Sequence, residues 1–276
     1  MDASLARRVV TAVIGIALIL ALILYGKNWG TPLLALVCCF GALWEYFVML
    51  FAFPEQMLQK GVGIILGFSL ASLIIFRASF LYEGVSLFFI LLFIFYLTLA
   101  HFSQNRLSQL FSELAFTLSG VFYISFLFSF WPKVRELESG HMWIFLVFLI
   151  PWLSDTAAYF VGKSLGRQKL SPLVSPHKTV EGAIGGIVGA TLCVFLYKFL
   201  VFSELSLISC LFLGVGGAIM SQLGDLYESL IKRALHVKDS GVVIPGHGGI
   251  LDRFDSVLFC GPFIYFYARF LERFWQ

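Results

Sequence analysis

Long apolar runs alternate along this chain with short clusters of glycine, proline and charged residues. A helix that spans a bilayer needs ~20 predominantly apolar residues. Nine segments approach that length, at 9–25, 30–51, 61–76, 85–100, 110–131, 142–161, 183–202, 205–223 and 256–272. The pattern therefore predicts an all-α, polytopic integral membrane protein with about nine transmembrane helices. Arg7-Arg8 ahead of the apolar run Val9–Tyr25 has the outline of a signal peptide. No small-x-small cleavage pattern comes after it, and a second apolar segment begins almost at once, so a retained first span is expected. In the seventh and eighth segments, Gly182, Gly185, Gly186 and Gly189 and then Gly214, Gly217 and Ala218 recur at helical spacing. Small residues in this register let helix backbones approach, which favours packing over direct ligand contact.

Composition strengthens the membrane reading. Of 276 residues, 59% are hydrophobic and 13% charged, and mean hydropathy is +0.91. A soluble domain carries ~25% charged residues, and so few charges could not cover the surface of a globule this large. The net charge of +3 comes without a dense basic patch, so no nucleic-acid partner is expected. All five cysteines lie in or beside apolar runs without zinc-site spacing, and are expected to fill space rather than bind metal or pair.

The first part of the chain, 1–140, is poor in polar residues apart from Glu45 and Glu113 and reads as a transmembrane scaffold. Residues 141–276 hold the candidate chemistry, within one integrated membrane domain. With the N-terminus inside, seven of the nineteen Lys and Arg residues (Lys27, Arg77, Lys133, Arg135, Lys198, Arg269, Arg273) fall outside and twelve inside. Positively charged loops stay in the cytoplasm, so both long polar loops, 162–182 and 224–255, are expected there.

From Asp225 to His236, apolar residues recur at helical spacing and leave a stripe of Asp225, Ser229, Lys232 and His236 on one face. A solvated amphipathic helix would look the same, but the residues beyond it are richer in chemistry: Lys238-Asp239-Ser240-Gly241, then Pro245-Gly246-His247-Gly248-Gly249, then Asp252-Arg253-Phe254-Asp255. Glycines around a histidine leave backbone N–H groups open to a ligand. Asp252 and Asp255, three apart, would point the same way on a helix, and close carboxylates repel unless a proton or cation lies between them. Such oxygens suit Mg²⁺, with Asp225 completing the set; a surface ion network with Arg253 and Lys238 is the alternative. In the first loop, Lys163, Arg167, Lys169 and the run Ser175-Pro176-His177-Lys178-Thr179-Val180-Glu181-Gly182 supply cations and hydroxyls for phosphate oxygens. Asp155, inside the sixth segment, is expected to face a polar cavity or pair at a helix end. Gly162-Lys163-Ser164 and Gly214-Val215-Gly216-Gly217 lack the glycine spacing and strand context of nucleotide-binding fingerprints.

The stretch from Ser229 through Lys232-Arg233, Lys238-Asp239-Ser240-Gly241 and Pro245-Gly246-His247-Gly248-Gly249 to Asp252-Arg253-Phe254-Asp255 resembles the signature of phosphatidate cytidylyltransferases, also called CDP-diacylglycerol synthases. Ser154-Asp155-Thr156, Gly166-Arg167 and Ser175 to Gly182 resemble the family's other polar block, except that His177 stands where Lys is frequent. The resemblance is strong from about residue 150 to 272. It implies a transferase of phospholipid biosynthesis in the cell membrane that joins CTP to phosphatidic acid at a cytoplasmic site, releasing pyrophosphate with Mg²⁺ and a second cation. It implies Asp225, Asp252 and Asp255 as metal ligands, catalytic together with Lys232. It assigns substrate binding to Asp155, Ser175, Lys178, Thr179, Glu181, Ser229, Arg233, Lys238, Asp239, His247, Gly248, Gly249 and Arg253, and it allows a homodimer. A transporter would spread its charges through several spans, whereas here they gather in two loops. A CDP-alcohol phosphatidyltransferase, another Mg²⁺-dependent phospholipid enzyme, would carry a D-G-x2-A-R motif that is not found.

Overall fold

The computed structural model describes residues 3–102, 106–241, 243–244 and 248–271. Arg273 and His247 lie outside them. The chain forms two compact units. The first comprises 1–22, 26–129 and 240–251, and the second 23–25, 130–239 and 252–276. The boundary thus falls near residue 130, and the segment Ser240–Leu251 returns to the N-terminal unit.

The first unit contains α1 (Ala3–Tyr25, except its last three residues), α2 (Lys27–Leu50), α3 (Met57–Phe76), α4 (Leu81–Phe102) and α5 (Leu107–Val121), which runs on through a π-turn at Phe122–Phe126. Short 3₁₀ turns precede α3 and α4. Its core is aromatic: Tyr46 and Phe47 are fully buried, and the Tyr46 hydroxyl donates to the Phe116 carbonyl at 2.7 Å. Gly120 leaves room for the Tyr46 ring, which a Cβ there would strike. Both acidic exceptions in the scaffold are buried. Glu113 accepts from the amides of Gln56, at 2.9 Å, and Gln109, at 3.0 Å, which offsets part of the cost of burying a carboxylate.

The second unit contains α6 (Phe130–Arg135), α7 (Gly140–Leu165), strands β1 (Lys169–Ser171) and β2 (Ser175–Thr179), α8 (Val180–Leu200), α9 (Leu207–Ala234) and α10 (Leu251–Phe266), with Leu251 itself grouped in the first unit. The small residues of α8 and α9 meet helix backbones and side chains. A Cβ at Gly185 would lie 2.5 Å from Val161 Cβ, and one at Gly214 2.5 Å from Thr191 Cα. Gln222 on α9 donates to the Ala183 carbonyl on α8 at 2.9 Å. The packing role expected of these glycines is what the structure displays.

Among the described residues, seven helices are long and apolar enough to cross a membrane by length and composition. Their outward faces carry large apolar side chains such as Ile65, Leu97 and Leu192, each 65–70% exposed, a surface suited to lipid.

Two features differ from expectation. The loop 162–182 is largely ordered: α7 continues to Leu165, and β1 and β2 form an antiparallel hairpin pairing Lys169 with Thr179 and Ser171 with Ser175. The strands are too short to show alternation in the sequence. The polar stripe after Asp225 is not a separate surface helix but the continuation of α9, 28 residues long. It ends before His236, which adopts a left-handed conformation (φ 58°) while Val237 N–H reaches back to the Lys232 carbonyl at 2.9 Å. That arrangement satisfies carbonyls at the helix end and removes His236 from the face shared by Asp225, Ser229 and Lys232.

Candidate active site

Within the second unit, α7, β2, α8 and α9 surround a cavity of about 590 Å³. Its lining includes Asp155 and Lys163 of α7, His177, Lys178 and Thr179 of β2, and Gln222 and Asp225 of α9. Lys178 Nζ pairs with Asp225 Oδ2, and Ser229, one turn along, donates to Asp225 Oδ1 at 3.4 Å. The β2 strand therefore delivers its lysine directly onto the acidic face of α9.

Asp255 of α10 is 8% exposed. The charges that act on it include Asp225, Asp155 and Lys232. Its Oδ1 accepts from the Ser256 backbone N–H at 2.6 Å. The approach depends on Gly224: a Cβ there would fall against the Asp255 carbonyl oxygen and within 3.3 Å of the Phe259 ring. Replacing Gly224 with Val should separate α9 from α10, cost about 1–3 kcal/mol in overpacking, and remove most turnover. Thermal unfolding in detergent measured beside turnover checks this.

Lys232 bridges two acids, pairing with Glu228 Oε2 one turn back on α9 and with Asp252 Oδ1 at 2.7 Å. Glu228 is fully buried, and sequence reasoning missed it. Its position three residues after Asp225 and four before Lys232 was the available signal, because such residues neighbour one another on a helix.

The remaining residues implied by the resemblance are dispersed. Thr179 caps α8, its hydroxyl accepting from Gly182 N–H at 3.1 Å. Glu181 accepts from the backbone N–H groups of Arg167, at 2.9 Å, and Gln168, so its carboxylate ties the hairpin to α8. Arg233 Nε donates to the Val174 carbonyl at 3.3 Å, and Ser175 lies half-buried in β2. Lys238, Asp239 and Arg253 are exposed. Gly248, with φ 88°, pairs with Ile244, and with Gly249 it belongs to the segment of the first unit. His247 is outside the described residues.

Five carboxylates (Asp155, Asp225, Glu228, Asp252, Asp255) thus gather around two lysines, Lys178 and Lys232. That excess of negative charge fits a divalent cation of the hard, oxygen-seeking kind. Among the described residues, no three His, Cys, Asp or Glu side chains converge as a ready-made metal cage. Asp225 and Asp252 instead each face a lysine.

The Cytidylyltransferase family matches residues 6–271 of the chain. The chain belongs to this family. Among its cytidylyltransferase relatives, the phosphatidate cytidylyltransferase of Bacillus subtilis (strain 168) is 36% identical over 266 residues, covering 94% of this chain and 96% of the relative. That of Staphylococcus aureus (strain COL) is 46% identical over 164 residues, covering 59% of this chain and 61% of the relative. That of Staphylococcus haemolyticus (strain JCSC1435) is 43% identical over 162 residues with the same coverage.

Proposed function

We propose that this membrane enzyme transfers the cytidylyl group of CTP to phosphatidic acid, forming CDP-diacylglycerol and pyrophosphate for phospholipid synthesis. The observation that carries the reading is the cavity lined by the basic residues Lys163, His177 and Lys178 together with the acids Asp155 and Asp225, in a protein of this family. A phosphate oxygen of the lipid attacks the α-phosphorus of CTP; the bond from that phosphorus to the β-bridging oxygen breaks, and its electron pair leaves with pyrophosphate. Transfers of this kind depend mainly on positioning and charge neutralisation. Lys178 and Lys232 would hold phosphate oxygens, and their carboxylate partners would keep them oriented until substrate enters. Asp225, Asp252 and Asp255 would hold Mg²⁺, and the resemblance implies a second cation. When bound, these cations neutralise charge on the entering and leaving oxygens.

The site faces the cytoplasm in this reading, since CTP is there and the Lys/Arg bias puts both signature loops inside. Purified protein given CTP, phosphatidic acid and Mg²⁺ should release one pyrophosphate per CDP-diacylglycerol, with ATP, GTP and UTP at least tenfold slower. In sealed vesicles, external CTP should support turnover only in the inside-out orientation. Equal turnover of all four nucleotides would overturn the cytidylyl assignment, and turnover in right-side-out vesicles would overturn the orientation.

A further inference from the structure

Glu45, a residue of the scaffold helix α2, is 2% exposed, and its carboxylate lies far in sequence from every residue it holds. Its Oε1 accepts from Ile250 N–H at 2.8 Å, and its Oε2 from Leu251 N–H at 2.9 Å and from the Ser240 hydroxyl at 3.2 Å. Ser240 and Leu251 are the two ends of the segment that closes the first unit. One buried carboxylate therefore joins both stems of the signature loop and satisfies backbone donors at the start of α10, where negative charge is favoured by the helix dipole.

Two signature glycines find their physical reason here. A Cβ at Gly241 would lie 2.7 Å from Glu45 Oε1, and one at Gly249 2.5 Å from Glu45 Oε2. The sequence suggested glycines that open the backbone to a ligand; at Gly241 and Gly249 the group they admit is a carboxylate of the protein itself. Gly41, four residues earlier on α2, similarly makes room for the Ile250 side chain.

We infer that Glu45 is a positioning residue for the transfer reaction: by clamping the loop stems it fixes where the chain enters α10, and so where Asp252, Arg253 and Asp255 stand. Leu251, whose N–H it accepts, directly precedes Asp252. This inference rests on the proposed function, in which Asp252 and Asp255 would hold the Mg²⁺ that meets the CTP phosphates. It differs from a general packing role because three donors converge on two charged oxygens, a geometry that an uncharged side chain of the same size reproduces only in part.

The test compares the full-length protein with Glu45→Gln, Glu45→Asp and Gly241→Ala, purified in detergent. In Glu45→Gln one acceptor oxygen becomes a donor that faces other donors. Amide hydrogen exchange at Ile250 and Leu251, recorded without metal or substrate, should quicken at least tenfold, while exchange in α8 stays as in the wild type. The KM for CTP should rise at least tenfold and that for phosphatidic acid less than twofold, whereas mere loss of folded protein would lower kcat and leave both KM values alone. Glu45→Asp keeps the charge and should fall between wild type and Gln. Gly241→Ala pushes on the carboxylate without altering it and should shift exchange and KM in the same direction, so the inference stays open to refutation should the Gln variant fail to fold. Wild-type exchange at Ile250 and Leu251 in these variants, or an unchanged KM for CTP beside faster exchange, overturns it. A wild-type protein inert toward CTP, with the exchange changes intact, would instead count against the proposed function.

Discussion

Asp255→Asn is expected to cut turnover by about 10²–10³-fold, equivalent to ~3–4 kcal/mol of transition-state stabilisation, without weakening the metal-free protein. The second half of that result is the informative one. Asp255 is buried, and Asp225 and Asp155 both act on it with negative charge. In the absence of a cation these carboxylates repel, and a neutral amide of the same shape relieves the repulsion. Thermal unfolding without Mg²⁺ should therefore place Asp255→Asn level with the wild type or above it. Adding Mg²⁺ with CTP should stabilise the wild type and leave the variant unmoved, since a ligand stabilises only a state that binds it. Were the aspartates a structural ion network, the order would reverse: the variant would melt earlier and retain turnover. Asp225→Asn should lose turnover similarly, with a smaller gain in stability because Lys178 is then left facing an uncharged partner.

Lys232→Met is the second large effect, and it should appear in stability as well as activity. Lys232 sits between Glu228, whose side chain is 0% exposed, and Asp252, at 12%. Breaking a buried pair by removing one member typically costs about 3–5 kcal/mol, because the remaining charge is stranded away from water. Replacing both members with uncharged groups of similar size is often close to neutral. The double variant Glu228→Gln/Lys232→Met should accordingly recover more than half of the lost stability while turnover remains absent. Denaturant unfolding in detergent for the two single variants and the double variant forms the cycle that measures this coupling. Full stability in Lys232→Met alone would mean that Glu228 is accommodated by something other than this lysine.

Much of the architecture was legible because the membrane leaves so few options. Inside lipid every backbone N–H and C=O must be paired within the protein, so apolar stretches of the right length become helices, and a helix lies at each apolar segment from Val9 to Phe266. The helical spacing of Asp225, Ser229 and Lys232 likewise put them on one face, as α9 displays, since periodicity is a property of the local backbone. His236 fell off that face because helix termination at Leu235 is decided by how the last carbonyls are capped, not by the apolar period. The hairpin of β1 and β2 was hidden for a related reason: three and five residues are too few for an alternating pattern to declare itself.

The site itself depended on contacts that no sequence window contains. Composition and resemblance could name Asp225, Asp252 and Asp255, but only tertiary packing decided that Lys178, 47 residues away, would face Asp225, and that Lys232 would reach Asp252 across 20. Glu228 reads in sequence as one more acid on a solvated helix face, and becomes a buried partner of Lys232 only in the folded unit. Glu45 is the extreme case: its partners lie 195 to 206 residues downstream, and its meaning rests on Gly241 and Gly249 leaving space for its oxygens. The sequence by itself determined which segments are helical and that the protein is an all-α membrane protein, because that follows from local hydrophobicity and backbone hydrogen bonding. Which charges are buried, and against what, was settled by the tertiary structure alone, because the cost of burying a charge depends on the partners that folding brings to it.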